Sequence, residues 1–187
     1  MKDPNIKNGK PPRQRNLAFL DLETTGLNLD HEIIEIGVVR VSQPDFSVIE
    51  EFDMKIKPHH LETADPEAIK LVGYTDELWK DAIELKDALK ILEDKYRGDI
   101  LIGDNFTFDW TRLEKAFFEN GHPAPAFYYH RMDTKSMIYY KFYNDPNISN
   151  FNLSEICKYL GIERGKAHSA LDDARASYEV FKKIMTS

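Results

Sequence analysis

The sequence predicts an α/β domain whose sheet mixes strand directions. Three β-rich segments come first, joined by links too short for crossover helices, which favours antiparallel pairing among them. Helical stretches then alternate with a short apolar run, which adds helices and at least one further strand.

Leu17 to Glu23 begins apolar and reads as the first strand. Ile33 to Val41 is rich in Val and Ile, a second strand. Val48 to Ile56 alternates roughly and stops before Pro58, a third. Leu85, Ala88, Leu89, Leu92 and Tyr96 recur at helical spacing, and Gly98 ends that helix. Ile100 to Gly103 is short and apolar, a buried strand. Asp109 to Asn120 is helical and stops at Asn120-Gly121. Tyr139 to Asn152 is polar and aromatic and reads as an irregular loop. Leu153, Ile156, Cys157 and Leu160 mark another helix, capped by Asn152 and ended by Gly161. A last helix carries Leu171, Ala174, Tyr178 and Phe181 on one face.

With 187 residues, 42% apolar and 30% charged, the chain is long enough for one domain with a real core, expected over residues 16–187. Residues 1–15 hold Lys2, Lys7, Lys10, Arg13 and Arg15 against one acid, Asp3, and read as a disordered basic tail. No apolar run approaches the roughly 18 residues of a membrane span, and no signal-peptide core is evident. A single cysteine, Cys157, excludes an internal disulfide, so the reading is cytoplasmic with no membrane partner. The net charge of −7 argues against a protein held on nucleic acid by bulk charge, though not against an acidic, cation-filled catalytic site.

Four acids break the apolar pattern. Asp21 and Glu23, two apart on a strand, point to the same face. Asp109 lies one turn before Leu113 on its helix's apolar stripe, although a first-turn acid also suits the helix dipole. In the stretch KAHSALDDARASYEVF, Ser169 and Asp172 have capping-box-like spacing, leaving Asp173 without a capping task. Ala170, Ala174, Ala176 and Ser177 surround Asp173, small enough for close approach to the sheet. Two carboxylates about 4 Å apart repel by roughly 4 kcal/mol at an effective dielectric near 20, against a net stability of about 5–15 kcal/mol. No Lys or Arg in these motifs is an obvious partner. If the four converge, protonation or divalent cations must relieve them, and oxygen ligands favour Mg²⁺ or Mn²⁺.

At these residues the sequence resembles the DnaQ-like, or DEDDh, 3′–5′ exonuclease family over roughly Asn16 to Met185. DLETTGL (Asp21 to Leu27), GDNFTFDWTRL (Gly103 to Leu113) and HSALDDA (His168 to Ala174) carry it, with support from LVGYTDE, MDT and NLSEICKYLGI. Asp104-Asn105 departs from the family's usual His-Asn pair. The resemblance implies an RNase H-like fold, a five-stranded mixed sheet flanked by helices. It implies stepwise hydrolysis from a 3′ end, releasing nucleoside 5′-monophosphates, with two divalent cations. It implies that Asp21, Glu23 and Asp173 ligate one metal, that Asp21 bridges to the second, and that Asp109 acts there through water. His168 is then the general base, a role suited to an imidazole's intrinsic pKa of about 6.5. Two ions about 3.5–4 Å apart orient the attacking water, lower its pKa and stabilise the leaving oxygen.

For substrate, Thr24, Thr25, Gly26 and Leu27 are expected to hold the terminal nucleotide, with Leu27 wedged against its base. Asn105, Phe106 and Phe108 are candidate contacts, the two rings by stacking, although aromatics beside a helix start are often core. Arg112, Lys115, Arg131 and Lys135 are candidate phosphate contacts. The expected substrate is a single-stranded or frayed 3′ end, DNA ahead of RNA, and a DNA polymerase or repair complex is a candidate partner. The alternatives are an exoribonuclease or oligoribonuclease-type activity, and a non-catalytic binding module on the same fold.

Overall fold

The computed structural model describes residues 10–122 and 125–186. Five strands form one sheet: β1 (Leu17–Thr24), β2 (Ile33–Val41), β3 (Val48–Lys55), β4 (Ile100–Gly103) and β5 (Met132–Asp133). Their order is β3-β2-β1-β4-β5. β2 is antiparallel to β1 and β3, while β1–β4 and β4–β5 are parallel, giving the mixed sheet expected. Among the described residues six helices flank it: α1 (Pro66–Val72), α2 (Leu85–Lys95), α3 (Thr107–Glu119), α4 (Thr134–Phe142), α5 (Leu153–Leu160) and α6 (Ala170–Thr186).

The central strand β1 separates two cores, because successive side chains alternate across a sheet. Ala18, Leu20 and Leu22 pack on one face with Leu89 and Leu92 of α2 and Leu113 and Phe117 of α3. Leu17 and Phe19 pack on the other with Ala174, Tyr178 and Phe181 of α6. Phe19 meets the rings of Tyr178 and Phe181 edge-on, at 5.5 and 5.1 Å. Asp21 and Glu23 continue the row Leu17–Phe19, so they belong to the α6 face.

Helix α6 reaches that face through Gly37. Gly37 pairs with Asp21 in the β1–β2 register. A Cβ on Gly37 would collide with the backbone of Ala170 and Leu171. The bare glycine lets the start of α6 lie directly on the sheet beside Asp21.

Several sequence expectations need correction. Helices α1 and α4 were not expected, and α4 occupies the first part of the anticipated loop from Tyr139 to Asn152. Asp65 caps α1 by accepting from the Glu67 N–H, and Asp133 caps α4 by accepting from the Lys135 N–H. The α4 sequence TKSMIYYKF lacks a clear apolar stripe, which hid it. Ordered structure also begins before residue 16. Pro12–Gln14 form a 3-10 turn, and Arg15 is buried, donating to the Gly98 carbonyl (2.7 Å) with its guanidinium over the Tyr128 ring. The remainder of the expected basic tail, residues 1–9, lies outside the described residues.

Candidate active site

Strand lengths create the site. β1 pairs with β2 through residue 24, but with β4 only through Phe19. Beyond Phe19 the β4 side of β1 is open. The chain leaves β4 through a tight bend and enters α3. Asp109, in the first turn of α3, uses that opening: its Oδ1 accepts from the Leu22 N–H at 3.0 Å. The bend rests on Gly103, where a Cβ would meet the Phe106 ring and the Leu20 carbonyl. Asp109 is thus aimed between Asp21 and Glu23 from one side of the sheet, while α6 delivers Asp173 from the other.

The four carboxylates converge electrostatically. Burial, reinforced by Asp109, Asp173 and Glu23, holds the Asp21 carboxyl well above its ordinary range. Burial first, then Asp173, Glu35 and Asp109, raises Glu23 to about 8, with Arg164 pulling the other way. Burial raises Asp109 to about 7 against the lowering effect of the Leu22 N–H. Glu23, His168 and Asp173 offer ligand atoms all within 4.8 Å of one another. Such crowding is costly when the acids ionise, and the oxygen ligands that Asp21, Glu23, Asp109 and Asp173 offer suit a hard divalent cation. The donor set therefore fits the implied metals.

His168 is exposed, with φ 62°, and its N–H faces Asp173 Oδ2 at 3.3 Å. The expected capping box did not form as read. Asp172 instead accepts from the Lys166 N–H (2.9 Å) and pairs with Arg175. Asp173 is not free of cations: Arg164 donates to its Oδ1 through Nε at 3.0 Å and also through Nη2. Sequence reading missed Arg164, a loop residue whose partner becomes evident only once the loop folds back. Asp104 has a partner too, Lys135 Nζ at 2.9 Å, and Thr134 Oγ1 donates to it.

The bend after β1 is built rigidly. Thr24 Oγ1 donates to the Gly26 carbonyl (2.8 Å), and Thr25 Oγ1 accepts from the Glu32 N–H (2.9 Å). A Cβ on Gly26 would strike the His31 ring. Leu27 is left 78% exposed, the geometry of a side chain available to a ligand. Arg112 is no surface phosphate contact: it is buried, holds the Leu27 carbonyl and lies over the Phe108 ring. Phe106 is only 3% exposed and belongs to the core beside Leu113, so it does not offer a face for stacking. Phe108 is half-buried beneath Arg112, and Asn105 is exposed, its N–H on Asp133 Oδ1 at 3.2 Å. The other expected phosphate contacts are likewise engaged within the protein: Lys115 with Glu119, Arg131 over Trp110, and Lys135 with Asp104.

Comparison with known proteins places this geometry in a family. The exonuclease family model, RNase_T, matches residues 18–181. The PolC-type DNA polymerase III of Oceanobacillus iheyensis is 30% identical over 169 residues, which are 90% of this chain but 11% of that protein. The protein NEN2 of Arabidopsis thaliana is 26% identical over 176 residues, 91% of this chain and 35% of that protein. The crystal structure of E. coli exonuclease I in complex with a dT13 oligonucleotide superposes with a TM-score of 0.77 at 21% identity, covering 92% of this chain and 41% of that one. The chain therefore spans only a minor part of these proteins. The match over residues 18–181, on a five-stranded RNase H-like sheet, shows that the chain belongs to the DnaQ-like exonuclease family.

Proposed function

We propose that this protein is a metal-dependent 3′–5′ exonuclease that removes nucleoside 5′-monophosphates from single-stranded or frayed ends, with DNA as the preferred substrate. The observation that carries the reading is the convergence of Asp21, Glu23, Asp109 and Asp173 at the open end of β1. These four would hold two divalent cations, Mg²⁺ or Mn²⁺. Cations bound there supply charge neutralisation at the phosphodiester and a water acidified enough to act as a nucleophile near neutral pH.

The chain's own residues do the remainder. The Leu22 N–H fixes the Asp109 carboxylate, and the packing of α6 on Gly37 fixes Asp173 beside Asp21. His168 sits at the exposed rim next to Asp173, where it can accept a proton from water entering from solvent. The Thr24–Leu27 bend, braced by Arg112 and Glu32, presents Leu27 to the base of a terminal nucleotide. The DNA preference draws support from the relatives, which include PolC-type DNA polymerases III and an exonuclease I solved with dT13. Those relatives also support a DNA polymerase or repair complex as partner.

The test is a panel of 5′-labelled substrates with Mg²⁺ or Mn²⁺: single-stranded DNA, duplex DNA, RNA and dinucleotides. The proposal predicts a ladder shortening one nucleotide at a time from the 3′ end, fastest on single-stranded DNA. Immediate release of the 5′ label as a mononucleotide would reverse the direction, and faster loss of RNA would reassign the substrate.

A further inference from the structure

We infer that Arg164 competes with a divalent cation for Asp173, and that the cation binds Asp173 by displacing it. The inference rests on the metal role proposed above. Both oxygens of Asp173 are engaged by one stretch of chain, residues 161–169. Oδ1 accepts from Nε and Nη2 of Arg164, and Oδ2 faces the His168 N–H. A metal ligated by Asp173 Oδ1 must take the place of a guanidinium that holds that oxygen with two nitrogens. A guanidinium does not deprotonate in a protein, so it competes at every working pH.

Arg164 neutralises the cluster unevenly. Its guanidinium donates to Asp173 Oδ1, on the α6 side of the cluster. One positive charge at one corner cannot balance four acids; the two divalent cations proposed for the site would. The exchange is therefore favourable overall, yet it has a cost that a bare carboxylate cluster would not impose.

The displaced arm remains tethered. Arg164 Nη1 donates to Ser154 Oγ at the start of α5, the Lys166 N–H donates to Asp172, and Lys166 Nζ reaches the Val72 carbonyl at 3.3 Å. None of these contacts touches the four acids. The stretch can thus release Asp173 while keeping its other anchors. His168 lies four residues from Arg164 on that stretch, so metal entry and the freedom of His168 to approach a bound phosphate are coupled.

The experiment compares Arg164→Ala with Lys166→Ala, which removes the same charge from the same stretch without touching Asp173. Mn²⁺ binding is followed by calorimetry at fixed ionic strength. Arg164→Ala should bind about tenfold more tightly than wild type, within the range usual for coupled equilibria. Lys166→Ala should differ by less than about twofold, because an exposed charge is screened. In parallel, the Arg164 Nε–H resonance of wild type, assigned by its loss in Arg164→Lys, should move on the same curve as Mg²⁺ binding. Equal effects in the two alanine variants, or an Arg164 signal that stays fixed while Mg²⁺ saturates the site, would overturn the exchange while leaving the metal site in place. Absence of Mn²⁺ binding in wild type and both variants would overturn the metal site itself.

Discussion

Glu23→Gln should make the metal-free protein more stable, and only at neutral to alkaline pH. The Glu23 carboxyl is raised from 4.5 to about 8, chiefly by burial and then by Asp173. Below the unfolded value both states keep the proton and Glu23 costs the fold nothing. Between about 4.5 and about 8 the unfolded chain ionises while the folded chain resists, so stability falls as pH rises; above that interval the loss is complete. At about 1.4 kcal/mol per pH unit the interval amounts to at most about 5 kcal/mol. Glu23 is partly exposed and shares the site with other acids that can hold protons, so the loss at pH 8 is about 2–3 kcal/mol. Glutamine carries no charge and escapes it. Urea unfolding in EDTA should show Glu23→Gln about 2–3 kcal/mol more stable than wild type at pH 8, and within about 0.5 kcal/mol at pH 5. For a domain of this size that is roughly 4–12 °C in melting temperature at pH 8. Millimolar Mn²⁺ should narrow or reverse the difference, because only the wild type keeps all four ligands. A gain no larger at pH 8 than at pH 5, or a less stable variant at pH 8, would refute the reasoning.

Two further outcomes follow from the packing. Gly37→Ala should push the start of α6 off the sheet, cost about 1–3 kcal/mol by overpacking and reduce Mn²⁺ affinity, as read by denaturation and calorimetry. Phe106→Ala should lose about 3–5 kcal/mol of stability as a core truncation, whereas Leu27→Ala should change stability by less than about 0.5 kcal/mol while raising KM for oligonucleotides. If Phe106→Ala unfolds at the wild-type urea midpoint, the buried placement of its ring is wrong.

Much of this arrangement was legible in the sequence, for identifiable reasons. Strands β1, β2 and β4 declared themselves by β-branched or apolar runs, and α5 by its cap at Asn152 and its stop at Gly161. The four acids stood out because each interrupted an apolar pattern. Their convergence did not, since it depends on β4 being shorter than β1 and on Gly37 lying opposite Asp21. Helix α1 carried readable signals, Asp65-Pro66-Glu67 at its start and Gly73 at its end, but was too short for periodicity to reveal. Helix α4 had a cap without a stripe. Arg112 and Arg164 were beyond sequence reasoning for a different reason. An arginine on a polar surface and one bracing a site look alike until the partner, Leu27 for one and Asp173 for the other, is brought near.

The most direct test of the central claim is the rate of mononucleotide release from a 3′-labelled single strand by wild type and Asp21→Asn, each with Mg²⁺ or Mn²⁺ and again with EDTA. Asp21 is the acid on which Asp109, Asp173 and Glu23 all bear. Wild type should release labelled 5′-monophosphate, and EDTA should abolish that release. In Asp21→Asn the rate should fall about a thousandfold or more, roughly 4 kcal/mol of barrier, with the fold intact by circular dichroism. Wild-type rates in Asp21→Asn, or turnover indifferent to EDTA, would contradict the claim.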